Sequence, residues 1–254
     1  MMLQRKNEGK KMNSNTSAKA SAAPSSAPSW LLLGAEPLRA VCELASAQFM
    51  NKSSLPPGDG HPVVLFPGLA SDARALAPLK GLCEGLGYAT YDWGRGFNTG
   101  PEGDIDDWLD GLVQDVVDQV GNDDERISLI GWSLGGIYAR EVGKKLGARR
   151  ARRVITIGTP FAGTVQQTHA GLVYRLLNGS KAQLERETMR RLATPPEVPT
   201  TSIYSRSDGV VSWQACIQQG RRRHVENIEV SGSHCGLGWN TEVFTIVADR
   251  LARR

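Results

Sequence analysis

Six short runs of mostly apolar residues, bounded by Gly or Pro, recur along the chain with longer stretches of helical pattern between them. They are Val63 to Phe66, Ala89 to Trp93, Ile127 to Ile130, Val154 to Ile157, Thr201 to Tyr204 and Ile228 to Val230. A strand that is apolar on both sides has no face for water, so it belongs in a sheet covered above and below, and the intervening helices supply the cover. Helical spacing falls over Ala73 to Leu86, Ile105 to Val120, Leu134 to Leu146 and Thr241 to Leu251. The expected fold class is therefore α/β, with a mostly parallel sheet of about six strands flanked by helices. The stretch from Phe161 to Pro199 breaks the alternation and reads as a helical insertion.

The strand ending at Ile130 runs straight into Gly131-Trp132-Ser133-Leu134-Gly135-Gly136, and a helical pattern follows at once. A G-x-S-x-G between strand and helix forces a sharp reversal that lifts the serine hydroxyl above the sheet edge, and side chains at Gly131 or Gly135 would collide across the turn. Serine is a poor nucleophile until a base takes its proton, so a histidine and an acid are required further along. Of the four histidines, His61 opens the first strand, His169 lies in the insertion and His224 stands at a strand start. His234 alone follows the end of the last strand, and loops after strand C-termini share one edge of a parallel sheet. Asp208 leaves the C-terminal end of the strand Thr201 to Tyr204, on that same edge, where it can hold the imidazole in one tautomer. The candidate triad is Ser133, Asp208 and His234. Backbone N–H groups of Leu134, next to the nucleophile, and Leu69, in the loop after the first strand, are the expected oxyanion donors. Ser71 and Asp72 are expected to cap the helix that follows.

These segments resemble the α/β-hydrolase superfamily, and within it the compact lipase and esterase branch. The likeness spans His61 to Leu251 and rests on His61-Pro62-Val63-Val64-Leu65-Phe66-Pro67-Gly68-Leu69, the Ser133 motif, Gly158-Thr159-Pro160-Phe161-Ala162-Gly163-Thr164, Ser207-Asp208-Gly209-Val210-Val211 and Gly232-Ser233-His234. The order Ser133, Asp208, His234 is the superfamily's order. Phe161 departs from the histidine often found in the Gly-Thr-Pro stretch. The resemblance implies a reduced hydrolase fold over residues 61 to 254, lacking the early strands of larger relatives, and a serine hydrolase that cleaves carboxylic esters without a cofactor. The same triad would also serve acyl transfer to an alcohol, or thioester or amide cleavage, and a catalytically silent hydrolase fold would act as a binding module.

Charge excludes other classes. The net charge is +4, yet residues 1 to 29 hold five Lys or Arg and one Glu, leaving 25 basic and 25 acidic residues in the remainder. The body is formally neutral, so no nucleic-acid partner is expected. Residues 1 to 29, rich in Ser, Ala, Pro, Lys and Asn, are expected to form a disordered basic tail. Residues 30 to 50 are expected to hold an amphipathic helix in which Leu38, Val41, Leu44, Ala45 and Phe49 recur from Pro37 onward. Its packing on the body is the expected arrangement, with contact to a lipid surface the alternative. Cys42, Cys83, Cys216 and Cys235 have neither disulfide-framework density nor metal spacing, so no metal is expected. With no convincing signal peptide or membrane span, the expected location is cytoplasmic.

Leu172, Val173, Leu176 and Leu177 of the insertion could line one helical face, as a lid over an acyl pocket or as plain packing. The basic clusters Lys144 to Arg153 and Arg221 to Arg223 are expected at strand N-termini, as solvated charge away from the chemistry, with an anionic docking surface as the alternative. Glu102, Asp104, Asp106, Asp107 and Asp110 open a helix, where acids suit the dipole. Cys235 beside His234 reads as a small filler of a tight corner.

Overall fold

Every strand pairing is parallel. In the computed structural model, which describes residues 28–47, 49–121, 124–162, 182–220 and 222–253, the strands are β1 (Pro62–Phe66), β2 (Ala89–Asp92), β3 (Ile127–Trp132), β4 (Ala151–Ile157), β5 (Thr200–Tyr204) and β6 (Val225–Glu229). They form one sheet in the order β2-β1-β3-β4-β5-β6. Around it, among the described residues, lie α1 (Trp30–Ala47), α2 (Ala77–Leu86), α3 (Ile105–Val120), α4 (Leu134–Arg150), α5 (Ala182–Ala193) and α6 (Thr241–Ala252). The expected basic tail up to residue 27 and the Leu172, Val173, Leu176 and Leu177 face lie outside the described residues.

All residues of β1 and β3 are buried because the sheet is covered twice. Side chains alternate between faces along a strand. Val63 and Leu65 therefore join Ile130, Ile155 and Ile203 against Leu79 and Leu82 of α2 and Phe244, Val247 and Leu251 of α6. Val64 and Phe66 join Leu129 and Val154 on the opposite side, against Leu109, Leu112 and Val116 of α3 and Ile137 and Val142 of α4. Each such fully buried side chain contributes about 1.5–3 kcal/mol relative to exposure. The acid run works as expected: Asp104 Oδ1 accepts from the N–H groups of Asp106 and Asp107 at 2.8 and 3.2 Å and starts α3. At Gly147 the backbone leaves helical geometry (φ 61°, ψ −179°), which ends the regular part of α4 after Leu146.

Four expectations change. β6 begins at Val225 rather than Ile228, because this edge strand is covered less and its Val-Glu-Asn-Ile-Glu sequence alternates instead of running apolar. Ser71 caps nothing: Asp72 alone accepts from Arg74 N–H to open a short 3-10 turn at Ala73–Leu76 that precedes α2. The third change concerns α1. The helix starts at Trp30, runs through Pro37, and packs on the body with the face bearing Glu36, Ala40 and Ala47. Its apolar side points outward, with Leu31, Leu38 and Val41 respectively 85%, 72% and 65% exposed. Spacing locates an apolar face but says nothing about which face finds a partner.

The basic cluster before β4 is likewise less solvated than expected. Arg150 and Arg153 are buried, and Arg152 pairs with Asp59 at 2.7 Å. On α4, fully buried Arg140 donates to the carbonyls of Leu192 and Thr194 at the end of α5 (3.2 and 3.1 Å) and to Gln218 Oε1 (3.0 Å). Its guanidinium lies 3.7 Å from the centre of the Phe161 ring. Phe161, the departure in the Gly-Thr-Pro stretch, thus supports the arginine that ties α5 to the sheet's cover.

Candidate active site

From β1 the chain steps to β2 on one side, then returns to β3 on the other. That reversal leaves a crevice above the C-terminal ends of β1 and β3, the place where open α/β sheets bind ligands. Ser133 stands there, between β3 and α4, at φ 53° and ψ −124°. A left-handed backbone on a serine costs on the order of 1–3 kcal/mol and persists only where the surroundings fix it. Here the Ser133 N–H donates to the Ile157 carbonyl at 2.8 Å, and its own carbonyl accepts from Gly136 N–H at 3.1 Å.

The glycines explain how the turn closes. A Cβ at Gly131 would lie 2.2 Å from the Gly135 oxygen, the collision foreseen across the turn. A Cβ at Gly135 would instead strike the end of β1, 2.1 Å from the Phe66 oxygen. Gly135→Ala is therefore expected to cost about 3 kcal/mol or more, read as a fall in Tm of roughly 6–12 °C. Gly81→Ala, in α2 where a Cβ meets nothing within 4 Å, should be neutral or stabilising.

Three side chains meet at the crevice. His234 Nε2 lies 2.9 Å from Ser133 Oγ, and His234 Nδ1 lies 2.7 Å from Asp208 Oδ2. Asp208 and His234 follow the adjacent strands β5 and β6, which is why residues 26 apart in sequence reach each other. Asp208 Oδ1 accepts from the N–H groups of Val210 and Val211 at 2.8 and 2.7 Å, so the carboxylate is gripped from behind. His234 is gripped too: its carbonyl accepts from the Trp132 indole N–H at 3.0 Å, and the two rings lie 5.7 Å apart. Burial opposes charge on His234, but the Asp208 charge and hydrogen bond, aided by the Glu36 charge, outweigh it and raise the imidazole pKa above its ordinary value. The remaining described histidines serve elsewhere: His61 bonds Asp59 and Ser128, and His224 lies 3.2 Å from the Pro196 carbonyl.

Leu69 sits in the loop after β1. Gly68 lets that loop press on the turn, since a Cβ there would stand 3.0 Å from the Trp132 ring and 3.2 Å from Ser133 Cβ. Among the described residues the Leu69 N–H meets no acceptor. Leu134 is the first residue of α4, where a helix N–H has no partner of its own. Sequence reasoning missed what holds the loop. Buried Asn98 donates from Nδ2 to the Pro67 carbonyl (2.9 Å), from its N–H to the Ser71 carbonyl (2.8 Å), and accepts from Ala70 N–H (2.8 Å). Its only sequence signal was its place in a Gly-rich stretch after β2. Ser71 Oγ adds a bond to the Gly68 carbonyl at 2.7 Å.

Among the described residues no group of His, Cys, Asp or Glu could hold a metal ion. Burial and the nearby Glu36 and Asp208 charges push the Cys235 thiol up to about 11, away from the thiolate form. No described helix is long and apolar enough to cross a membrane.

A sequence profile of the alpha/beta hydrolase family matches residues 63–242, well over half of the chain. The chain belongs to the alpha/beta hydrolase family. Among curated proteins, no sequence matches this chain. Solved structures share its fold at low identity. The mouse alpha/beta hydrolase domain-containing protein 10 is 18% identical, with a TM-score of 0.53 over 80% of this chain and 95% of that one. A monoacylglycerol lipase from Paleococcus ferrophilus is 14% identical, with a TM-score of 0.54 over 77% and 95%. The Bacillus licheniformis lipase BlEst2 is 16% identical, with a TM-score of 0.55 over 78% and 94%.

Proposed function

We propose that this hydrolase cleaves carboxylic esters through an acyl-Ser133 intermediate. The observation that carries the reading is the unbroken line Asp208, His234, Ser133, at 2.7 and 2.9 Å, ending on a partly exposed hydroxyl. As Oγ attacks the ester carbonyl carbon, His234 Nε2 takes its proton, and Asp208 stabilises the imidazolium that results. The oxygen of the tetrahedral intermediate collects negative charge, and the N–H groups of Leu69 and Leu134 are the donors suited to it. The bond to the leaving alkoxide breaks as His234 returns the proton to it. Water then repeats the sequence on the acyl-enzyme, releasing the acid and restoring Ser133. No step needs a cofactor. The lipases named above share the fold, which is compatible with ester substrates.

The test is hydrolysis of chromogenic esters graded from acetyl to palmitoyl, alongside a matched thioester and amide. Ester turnover exceeding both is expected, and the chain-length optimum would distinguish a short from a long acyl site. Preferential thioester or amide cleavage, or acyl transfer to added alcohol in place of hydrolysis, would overturn the assignment. Because His234 must be neutral to act as base and its pKa is raised, activity is expected to climb with pH through a midpoint above about 6.5. A kcat/KM limb with a midpoint below that value would contradict the raised pKa of His234.

A further inference from the structure

We propose that Glu36, on α1, is a positioning residue that fastens the loop carrying Asp208 to the loop carrying His234. The inference rests on the acyl-serine reading of Ser133 and adds an element outside the sheet to it. Glu36 Oε1 accepts from Gly209 N–H at 2.7 Å and from His234 N–H at 3.0 Å, while Oε2 accepts from Cys235 N–H at 3.1 Å. One carboxylate thus holds the backbone of both the acid's neighbour and the histidine itself. Glu36 is only 3% exposed, and burying a carboxylate is costly unless donors surround it. Three backbone N–H groups meet that need, and without Glu36 the buried pair on Gly209 and His234 would be left without an acceptor.

The rest of the inward face of α1 serves the same two loops. Arg39 donates to the carbonyl and Oγ of Ser207 at 2.5 and 2.8 Å. Glu43 Oε1 accepts from Ser233 N–H at 2.8 Å, and the Ala40 carbonyl accepts from the Trp239 indole at 2.9 Å. Contact is close enough to exclude a methyl group, since a Cβ at Gly209 would lie 2.5 Å from the Leu32 carbonyl carbon and one at Gly236 would overlap the Glu43 carboxylate. The outward-facing apolar side of α1 follows from this: the polar side is the one with partners.

A purely structural clamp and a positioning clamp differ in what they do to His234. The charged groups around that imidazole are Asp208 from the β5 loop and Glu36, Arg39 and Glu43 from α1, with the Cys235 and Cys216 thiols close to Asp208. Glu36→Gln keeps the shape and one acceptor oxygen, removes the charge, and turns a second N–H toward that of Cys235. Glu36→Asp keeps the charge and shortens the reach by one methylene.

The experiment compares wild type with both variants after circular dichroism and thermal melting establish folding. Two readouts are taken: the pH dependence of fluorophosphonate inactivation, and the titration of the His234 ring by NMR, which needs no substrate. Glu36→Gln is expected to slow inactivation at its plateau by at least about tenfold and to move both the acid limb and the ring titration to lower pH. Glu36→Asp is expected to lower the plateau while leaving the limb near its wild-type position. A folded Glu36→Gln protein with wild-type plateau and wild-type His234 titration would overturn the proposal. Should Glu36→Gln not fold, Glu36→Asp carries the test, and an unchanged plateau overturns it equally. If wild type is never labelled while the His234 titration still moves in Glu36→Gln, the acyl-serine reading fails and the clamp stands.

Discussion

Ser133→Ala is expected to reduce ester turnover by roughly 10⁵-fold or more, with the fold intact. The size follows from the way the line of groups works: Asp208 and His234 are arranged to strip a proton from one oxygen, and without that oxygen neither has anything to act on. Residual catalysis would come from substrate held near the Leu69 and Leu134 N–H groups, with water as nucleophile. Folding should survive because alanine keeps the Cβ, and the chain already carries an alanine in a left-handed conformation at Ala70 (φ 56°). Steady-state kinetics on the preferred ester, with thermal melting in parallel, checks both parts. Turnover within tenfold of wild type in a folded Ser133→Ala protein would assign the nucleophile elsewhere.

Asp208→Asn is expected to lower kcat by about 10⁴-fold through the wrong histidine tautomer rather than through lost structure. The asparagine oxygen can still accept from Val210 and Val211, so the loop keeps its grip. Its amide nitrogen then faces His234 Nδ1 as a donor. The imidazole must accept at Nδ1 and carry its proton on Nε2, where it points at Ser133 Oγ and cannot take a proton from it. Near-normal turnover would hand the acid's role to another carboxylate, and Glu36, already bonded to the His234 main chain, would be the first to examine.

How much of this was legible in the sequence depends on what each residue does. The parallel sheet was readable because burial on both faces leaves apolar runs such as Val63 to Phe66, and the edge strand β6 was misplaced because one exposed side erased that signal. Ser133, Asp208 and His234 could be singled out because each is a side-chain type placed after a strand, and the structure brings those three within hydrogen-bond reach of one another. Asn98 and Glu36 could not be found that way. Both act on backbone N–H and carbonyl groups, which every residue carries, so nothing in the sequence marks their partners. The orientation of α1 was hidden for a related reason: three main-chain donors decided which face turned inward, against the apolar spacing of Leu38, Val41 and Leu44.

The central claim is that Ser133 becomes covalently acylated. Its most direct test is to treat the protein with a fluorophosphonate and map the modified peptide by mass spectrometry. The account predicts a single adduct on Ser133, abolished by Ser133→Ala and strongly slowed by Asp208→Asn. An adduct on another residue, or none on a folded protein, would contradict it.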